Sequence, residues 1–461
     1  MTRNVTRSVE RHDERAVTTS APRGGTLVAG LGATGVATAR YLAARGVDVT
    51  VIDSRPAPPG LAELRETHPE IRVILESQDP RWLEGVGRVV LSPGLGLDTP
   101  VAAQARRAGI PLLGDIELFA REVKEPVLAV TGSNGKSTVV TLLERMLSAT
   151  DLDVAAGGNL GPPALQLLEE PADLYLLEIS SFQLETTESL KPRAAAVLNV
   201  SPDHLDRHGS LAEYAALKSK LLRAADTAVF NWDDPLVQEM GREHPQAIPF
   251  SLRENPDNGY GVMEHLGERW LAGQRKPLLP VAAMRLRGAH NEANALAALA
   301  LSSTLGRDLA PQLEILEQFA GLPHRCQWVG EKDGVTFIND SKGTNVAASV
   351  AALEGLKGPF VLIAGGQSKG ADFSTLAASA RGRLIGAVLI GESAEKLEAA
   401  LSSSCPTRVT KDLAAAVELA WAFATKGTTI LLSPACASLD MFADYSARGE
   451  AYIAAVEELL R

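Results

Sequence analysis

One pattern recurs along the chain: a short apolar run, a turn of glycines and small polar residues, then apolar residues at helical spacing. It is plainest around residue 130. Pro126 to Val130 read as a buried strand, Thr131 to Gly135 as a small-residue loop, and Ser137 opens a helix. On that helix Val139, Leu142, Leu143, Met146 and Leu147 share one face. Upstream, Gly25 to Ala29 run into Gly30-x-Gly32-x-x-Gly35 and a helix. Val47 to Ile52 make a second strand ending at Asp53, and Val89 to Ser92 a third before Pro93-Gly94-Leu95-Gly96. Downstream, Asp173 to Glu178 and Ala194 to Val200 read as strands, 211–222 as a helix, and Gly288 onward as a loop entering another helix. The last third alternates helical segments with strands at Gln327–Gly330, Val335–Asn339, Phe360–Ala364, Ile385–Ile390 and Thr428–Leu432.

These elements predict an α/β protein of three domains. A doubly wound, Rossmann-like domain spans 24–115 and a central, ATPase-like parallel sheet built on the phosphate loop spans 116–321. A second Rossmann-like domain spans 322–461. Residues 1–23 are polar and aperiodic and read as a disordered tail.

Composition narrows the classes. Of 461 residues, 45% are hydrophobic and 22% charged, as in soluble globular proteins, and the length calls for more than one domain. A net charge of −11 with no basic run argues against nucleic acid or an anionic membrane as partner. The three cysteines, Cys326, Cys405 and Cys436, lack metal-ligand spacing and suit a reducing compartment. No signal-peptide pattern or long apolar span is present, so a cytoplasmic protein is expected.

A strand, a glycine loop and a helix N-terminus aim several N–H groups and a partial positive charge at one spot, which suits a polyphosphate. Lys136 would reach the outer phosphates, and Ser137 or Thr138 would hold magnesium. Val130 stands where the usual phosphate loop has glycine, so an ordinary glycine turn is the plainer alternative. Glu178, ending a neighbouring strand, is placed to hold magnesium or merely to cap a helix. His204, in Ser201-Pro-Asp-His-Leu-Asp-Arg-His208, is a metal or substrate ligand candidate. Lys218 falls within the apolar arc of its helix, either snorkelling or held buried with a lowered pKa. Asn291 and Asn294 share a helical face and suit a base or phosphates, with capping by Asn291 as the alternative. Gly30-x-Gly32-x-x-Gly35, with Asp53 18 residues on, fits a dinucleotide site and on its own suggests NAD. In that domain Ser92 and Gly94 lie at a strand's carboxyl end, or form a simple turn. Lys342, Lys369, Ser438 and Tyr445 sit in strand-end loops that suit a small dicarboxylate and a phosphate, unless the lysines are only solvated.

Together these residues resemble the Mur ligase family, which builds the peptide of bacterial peptidoglycan. The resemblance runs from Thr26 to the end. It rests on Thr131-Gly-Ser-Asn-Gly-Lys-Ser-Thr138, Glu178, Ser201-Pro-Asp-His-Leu-Asp206, His290-Asn291-x-x-Asn294, Pro323-His324-Arg325 and Asp340-Ser-Lys-x-Thr-Asn345. Gly30 to Gly35, Asp53-Ser54-Arg55, Gly365-Gly-x-x-Lys369 and Ser433-Pro-Ala-Cys-Ala-Ser-Leu-Asp440 are most similar to the branch that joins D-glutamate to UDP-N-acetylmuramoyl-L-alanine with ATP.

The resemblance implies that ATP is held by Gly132, Asn134, Gly135, Lys136, Ser137, Thr138, Asn291, Asn294, Arg325 and Asp340. It implies that Gly32, Ala33, Thr34, Asp53, Ser54, Arg55, Ser92, Gly94, Asn159 and His204 hold the UDP substrate, in place of any nicotinamide. D-Glutamate would meet Thr344, Lys369, Ser438, Leu439 and Tyr445, the last standing where phenylalanine is expected. Mg2+ would be held by Ser137, Glu178, His204 and a carbamylated Lys218, matching Tyr214-x-x-x-Lys218. Lys136, His204, Lys218 and Lys342 would carry the chemistry, and a monomer is expected. Three rivals differ in what they leave unused. A folylpolyglutamate synthetase-type ligase lacks the uridine-type domain, an NAD oxidoreductase leaves the phosphate loop idle, and a nucleotide sensor need not keep Glu178, His204 and Lys218 together.

Overall fold

The computed structural model describes residues 24–461 apart from 287 and 357, so the tail expected over 1–23 lies outside the described residues. The chain divides into two compact units, one up to Leu113 and one from Gly114.

The first unit is a single parallel sheet. Its strands β1 (Gly25–Ala29), β2 (Val49–Ile52), β3 (Arg72–Ile74), β4 (Val86–Leu91) and β5 (Leu112–Leu113) lie in the order β3-β2-β1-β4-β5. The order reverses between β1 and β4, which sets the glycine loop after β1 beside the Ser92 turn after β4. That crevice is where open sheets bind ligands.

The second unit carries two sheets. In the larger, β6 (Val127–Thr131), β7 (Val154–Gly158), β8 (Leu174–Glu178), β9 (Ala194–Val197), β10 (Thr227–Asn231) and β11 (Ala247–Phe250) are parallel. They lie in the order β11-β10-β9-β6-β8-β7. Beyond β11 an edge ribbon of β12 (Tyr260–His265), β13 (Glu268–Gly273) and β14 (Lys276–Pro280) turns antiparallel. Every residue of β6, β8 and β9 is buried, as a parallel sheet covered on both faces requires. The helix Lys136–Ser148 packs against the helices Ala289–Ser303 and Ala310–Gln318 and buries Val139, Val140, Leu142, Leu143, Met146 and Leu147.

The smaller sheet has β15 (Gln327–Lys332), β16 (Val335–Asn339), β17 (Phe360–Gly365), β18 (Leu384–Ile390), β19 (Thr407–Val409) and β20 (Thr429–Leu432). Their order is β15-β16-β20-β17-β18-β19, parallel except for the β15–β16 pair. Because β20 inserts between β16 and β17, the loops after these three strands meet at one edge.

Two differences from the sequence reading have local causes. The strand expected to reach Val200 stops at Val197, because Asn199 bonds sideways to the phosphate loop. The Tyr260–Pro280 ribbon was not foreseen; it is a half-exposed edge with weak alternation. Leu143 is fully buried between helices and sheet. Leu143→Ala is therefore expected to destabilise the second unit by roughly 2–5 kcal/mol, read as an earlier urea transition with the first unit's transition unmoved.

Candidate active site

In the first unit, Gly30 has φ +96° and a Cβ there would meet the Ser92 side chain at 2.8 Å. At Gly35 a Cβ would lie 2.0 Å from the Gly30 carbonyl. Only glycine fits either place, and Ser92 Oγ donates to that carbonyl at 3.1 Å. Gly32 and Gly94 face open space, Ala33 and Ser54 are exposed, and Thr34 is half-buried. Asp53 uses both oxygens internally. It accepts from Leu31 N–H at 2.7 Å and forms a bidentate pair with Arg55 at 2.9 and 2.7 Å. These bonds hold its carboxyl below the usual range against the opposing effect of burial. Arg55, half-exposed, is the group left facing outward.

In the second unit, Asn199 braces the phosphate loop. Asn199 Oδ1 accepts from Asn134 N–H at 2.8 Å and its Nδ2 donates to Asn134 O at 3.1 Å, while Ser133 N–H donates to Asn199 O at 3.0 Å. Gly132 and Gly135 take φ +159° and +85°. A Cβ at Gly135 would lie 2.4 Å from Asn294 Oδ1. Glycine there lets the Ala289–Ser303 helix abut the loop. Asn294 Nδ2 donates to Asn291 Oδ1 at 3.2 Å, and both amides are buried. The cap of this helix is Gly288, so Asn291 is not its cap. Arg325 reaches back to donate to Ser137 Oγ at 2.7 Å. Asp340 accepts from Ser433 Oγ at 2.7 Å and Cys326 N–H at 3.2 Å, and burial raises its carboxyl to about 6. Asn134, Gly135, Thr138, Asn291, Asn294, Arg325, Asp340 and Lys342 thus line one cavity of about 370 Å³.

Lys136 Nζ donates to Gly132 O at 2.7 Å and Ser133 O at 3.1 Å. Burial lowers its pKa, opposed by Glu178. Lys218 is not a snorkelling residue. Its side chain is 1% exposed and its Nζ donates to Gly132 O at 3.1 Å. The ammonium lies 4.3 Å from the Tyr214 ring centroid. Burial, then Lys136, drives its pKa well down. Glu178 accepts from Asn159 Nδ2 at 2.6 Å through Oε1, while its Oε2 is buried without a partner. An unpaired carboxylate oxygen beside the phosphate loop fits a hard divalent cation.

A second cavity, of about 530 Å³, is lined by Asp203, His204, Thr344, Asn345 and Lys369 among others. His204 has left-handed backbone and packs its ring on Phe182, with centroids 4.8 Å apart. Burial lowers its pKa, with Asp203 opposing. Lys369 is exposed within that wall, whereas Lys342 is drawn down to about 8 by burial and by Arg325. Lys342 Nζ lies 3.9 Å from the Tyr445 ring centroid, so Tyr445 uses its face to hold that lysine. Ser438 is buried and Leu439 exposed; neither they nor Tyr445 belong to the cavity wall that Thr344 and Lys369 share.

Sequence reasoning gave no role to Asn199, Asn345 or His208. Asn345 Nδ2 donates to Asp203 Oδ2 at 3.1 Å and Asn134 Oδ1 at 3.3 Å, tying the loop after β16 to the phosphate loop. His208 bonds Ser181 Oγ at 3.0 Å and faces Glu185. Their partners lie 23 to 211 residues away in sequence, so local pattern held little signal beyond polar residues in loops and turns.

Residues 25–114, 130–302 and 324–436 match, in turn, the family models of the Mur ligase MurD-like N-terminal domain, the Mur ligase middle domain and the Mur ligase glutamate ligase domain. A UDP-N-acetylmuramoylalanine–D-glutamate ligase of Nitrosococcus oceani is 48% identical over 94% of this chain and 96% of its own. The chain belongs to the Mur ligase family. Relatives of the same description from Methylococcus capsulatus and Pseudomonas aeruginosa are 46% and 45% identical, each over 94% of the chain and 94% and 98% of their own. In fold, this Mur ligase resembles UDP-N-acetylmuramate-alanine ligase of Thermotoga maritima, with TM-score 0.61 at 21% identity over 95% of this chain and all of that one. It also resembles the MurF ligase of the same organism, solved with ADP, with TM-score 0.58 at 18% identity over 95% and 96%. The glycine fingerprint of the first unit thus belongs to a Mur ligase N-terminal domain, not to a nicotinamide enzyme.

Lys342 carries its charge below about pH 8 and loses it above. ADP affinity of this Mur ligase, read by fluorescence titration, is expected to fall above that pH by about tenfold per unit. Lys342→Gln should bind more weakly and remove that dependence.

Proposed function

We propose that this chain uses ATP to ligate D-glutamate to UDP-N-acetylmuramoyl-L-alanine through an acyl phosphate, in peptidoglycan precursor synthesis. The observation that carries this reading is the identity of 45–48% over 94% of the chain to ligases described by that reaction. The geometry supports it. The cavity joining the phosphate loop, the Asn291–Asn294 pair, Arg325 and Asp340 suits a nucleotide, and the adjacent one suits a carboxylate substrate.

In this reading the loop amides and Lys136 orient the γ-phosphate toward the alanyl carboxylate. Transfer breaks the terminal phosphoanhydride bond, releases ADP and gives an acyl phosphate. The D-glutamate amine then attacks the acyl carbon, phosphate leaves, and the amine loses a proton. Arg325 and Lys342 stabilise phosphate charge in both steps. Asn291, Asn294 and Asp340 hold the nucleoside, and Thr344, Lys369, Ser438, Leu439 and Tyr445 receive D-glutamate. Within the first unit Gly32, Ala33, Thr34, Asp53, Ser54, Arg55, Ser92 and Gly94 are assigned to the UDP substrate, and within the second Asn159 and His204.

Ser137, Glu178, His204 and Lys218 would hold Mg2+, which when bound neutralises phosphate charge. The buried, unpartnered Glu178 Oε2 supports that assignment. Lys218 is assigned as a carbamate. Its lowered pKa supports this, since only the neutral amine attacks carbon dioxide, forming the N–C bond and losing a proton. We place the domain boundaries at 24–115, 116–321 and 322–461. We read the enzyme as a monomer and, in keeping with its three free cysteines, as cytoplasmic; no described helix is long and apolar enough to cross a membrane.

Phosphate release from ATP should require both UDP-N-acetylmuramoyl-L-alanine and D-glutamate, with a product heavier by one glutamyl residue. Absence of release with D-glutamate, L-glutamate, D-aspartate or meso-diaminopimelate would sink the assignment. With 13C-bicarbonate, a carbamate carbon signal is expected in the native enzyme and its loss in Lys218→Ala; no signal in the native enzyme refutes the modification.

A further inference from the structure

The largest fully buried side chain is a charged one. Arg448, in the first turn of the Tyr445–Leu460 helix, is 1% exposed. Its Nε donates to Ser341 Oγ at 3.0 Å and one terminal nitrogen to Ser341 O at 2.8 Å. The other terminal nitrogen donates to Cys436 O at 3.1 Å and Gly365 O at 3.4 Å. All these acceptors are neutral, and none is a carboxylate. Burial accordingly lowers the guanidinium's pKa to about 10.

Keeping an unpaired guanidinium inside a domain is costly, and an apolar side chain would fill the same space. What the apolar residue could not do is hold three backbones at once. Ser341, Gly365 and Cys436 belong to the carboxyl ends of β16, β17 and β20, which are adjacent in the sheet. Each of those loops carries residues assigned above to the amino acid: Thr344, Lys369, and Ser438 with Leu439. The fit is close. A Cβ on Gly366 would lie 2.1 Å from Ala437 O and 3.3 Å from the Arg448 guanidinium. Ser341 Oγ also donates to Tyr445 O at 2.8 Å, which brings the start of the helix into the same set.

We infer that Arg448 is the positioning residue of the amino-acid half-site. Its fork sets the spacing of the three loops, and its charge, opposed only at longer range by Asp440 and Asp340, lies behind them and favours a dicarboxylate in front. The inference rests on the ligase reading above and adds to it the residue that selects a dicarboxylate of glutamate length.

The test is steady-state kinetics with each substrate varied in turn, on Arg448→Lys, which keeps the charge and loses the fork, and Arg448→Met, which loses both. ADP binding and thermal melting report folding. The expected result is a rise of about tenfold in KM for D-glutamate with Arg448→Lys and about a hundredfold with Arg448→Met. KM for ATP and ADP affinity should stay within about threefold, and preference for D-glutamate over D-aspartate should narrow in both. If the arginine variants do not fold, Ser341→Ala removes one acceptor, and a rise of about threefold in KM for D-glutamate alone is expected. Equal rises in all three KM values, or an unchanged KM for D-glutamate in folded variants, would overturn the inference while leaving the ligase reading intact. Native enzyme without D-glutamate-dependent phosphate release would overturn both.

Discussion

The constraint on which the second unit depends is the absence of a side chain at residue 135. With φ +85° and Asn294 Oδ1 2.4 Å from where a Cβ would be, that position admits only glycine. The close approach seals the Ala289–Ser303 helix against the phosphate loop and puts the two asparagine amides on the wall of the cavity beside that loop. The Asn199 brace works toward the same end, since its amide satisfies loop groups that a freely moving turn would leave to water. The loop is thereby shaped before any phosphate arrives, which is what makes its N–H groups effective.

Charge in this site is arranged by burial as much as by pairing. Lys136, Lys218 and Lys342 all have lowered pKa values, and in each the first cause is loss of water. Three amines crowded around one loop repel one another, while Glu178 and Asp203 supply the opposing charge. Polyphosphate and a divalent cation complement that set, and the low dielectric strengthens each contact. Arg448 repeats the theme in the smaller sheet, a cation held by three backbone carbonyls and the Ser341 hydroxyl.

The two sheets of the second unit are joined by packing of the Ala289–Ser303 helix on the Val346–Gly355 helix and by side-chain hydrogen bonds. Arg325 donates to Ser137, and Asn345 to Asp203 and Asn134. Both carriers come from short loops at the start of the smaller sheet, and both end on the phosphate loop or the His204 turn.

The sequence by itself determined the strands that end in chemistry. β6, β8, β16, β17 and β20 were legible because parallel strands buried on both faces are apolar throughout and stop at glycine or a polar residue. Lys218 was marked out by its place on an apolar helical face, and Asn291 with Asn294 by helical spacing. Tertiary structure decided what local pattern does not encode. It turned Lys218 inward onto Gly132 O, spent Asp53 on Arg55, and gave the Tyr445 ring to Lys342. It also created the roles of Asn199, Asn345 and Arg448, whose partners come from distant strand ends brought together only by strand order. The physical reason is one of range: periodicity reports which face of an element is buried, whereas hydrogen-bond partners and pKa shifts depend on which elements become neighbours.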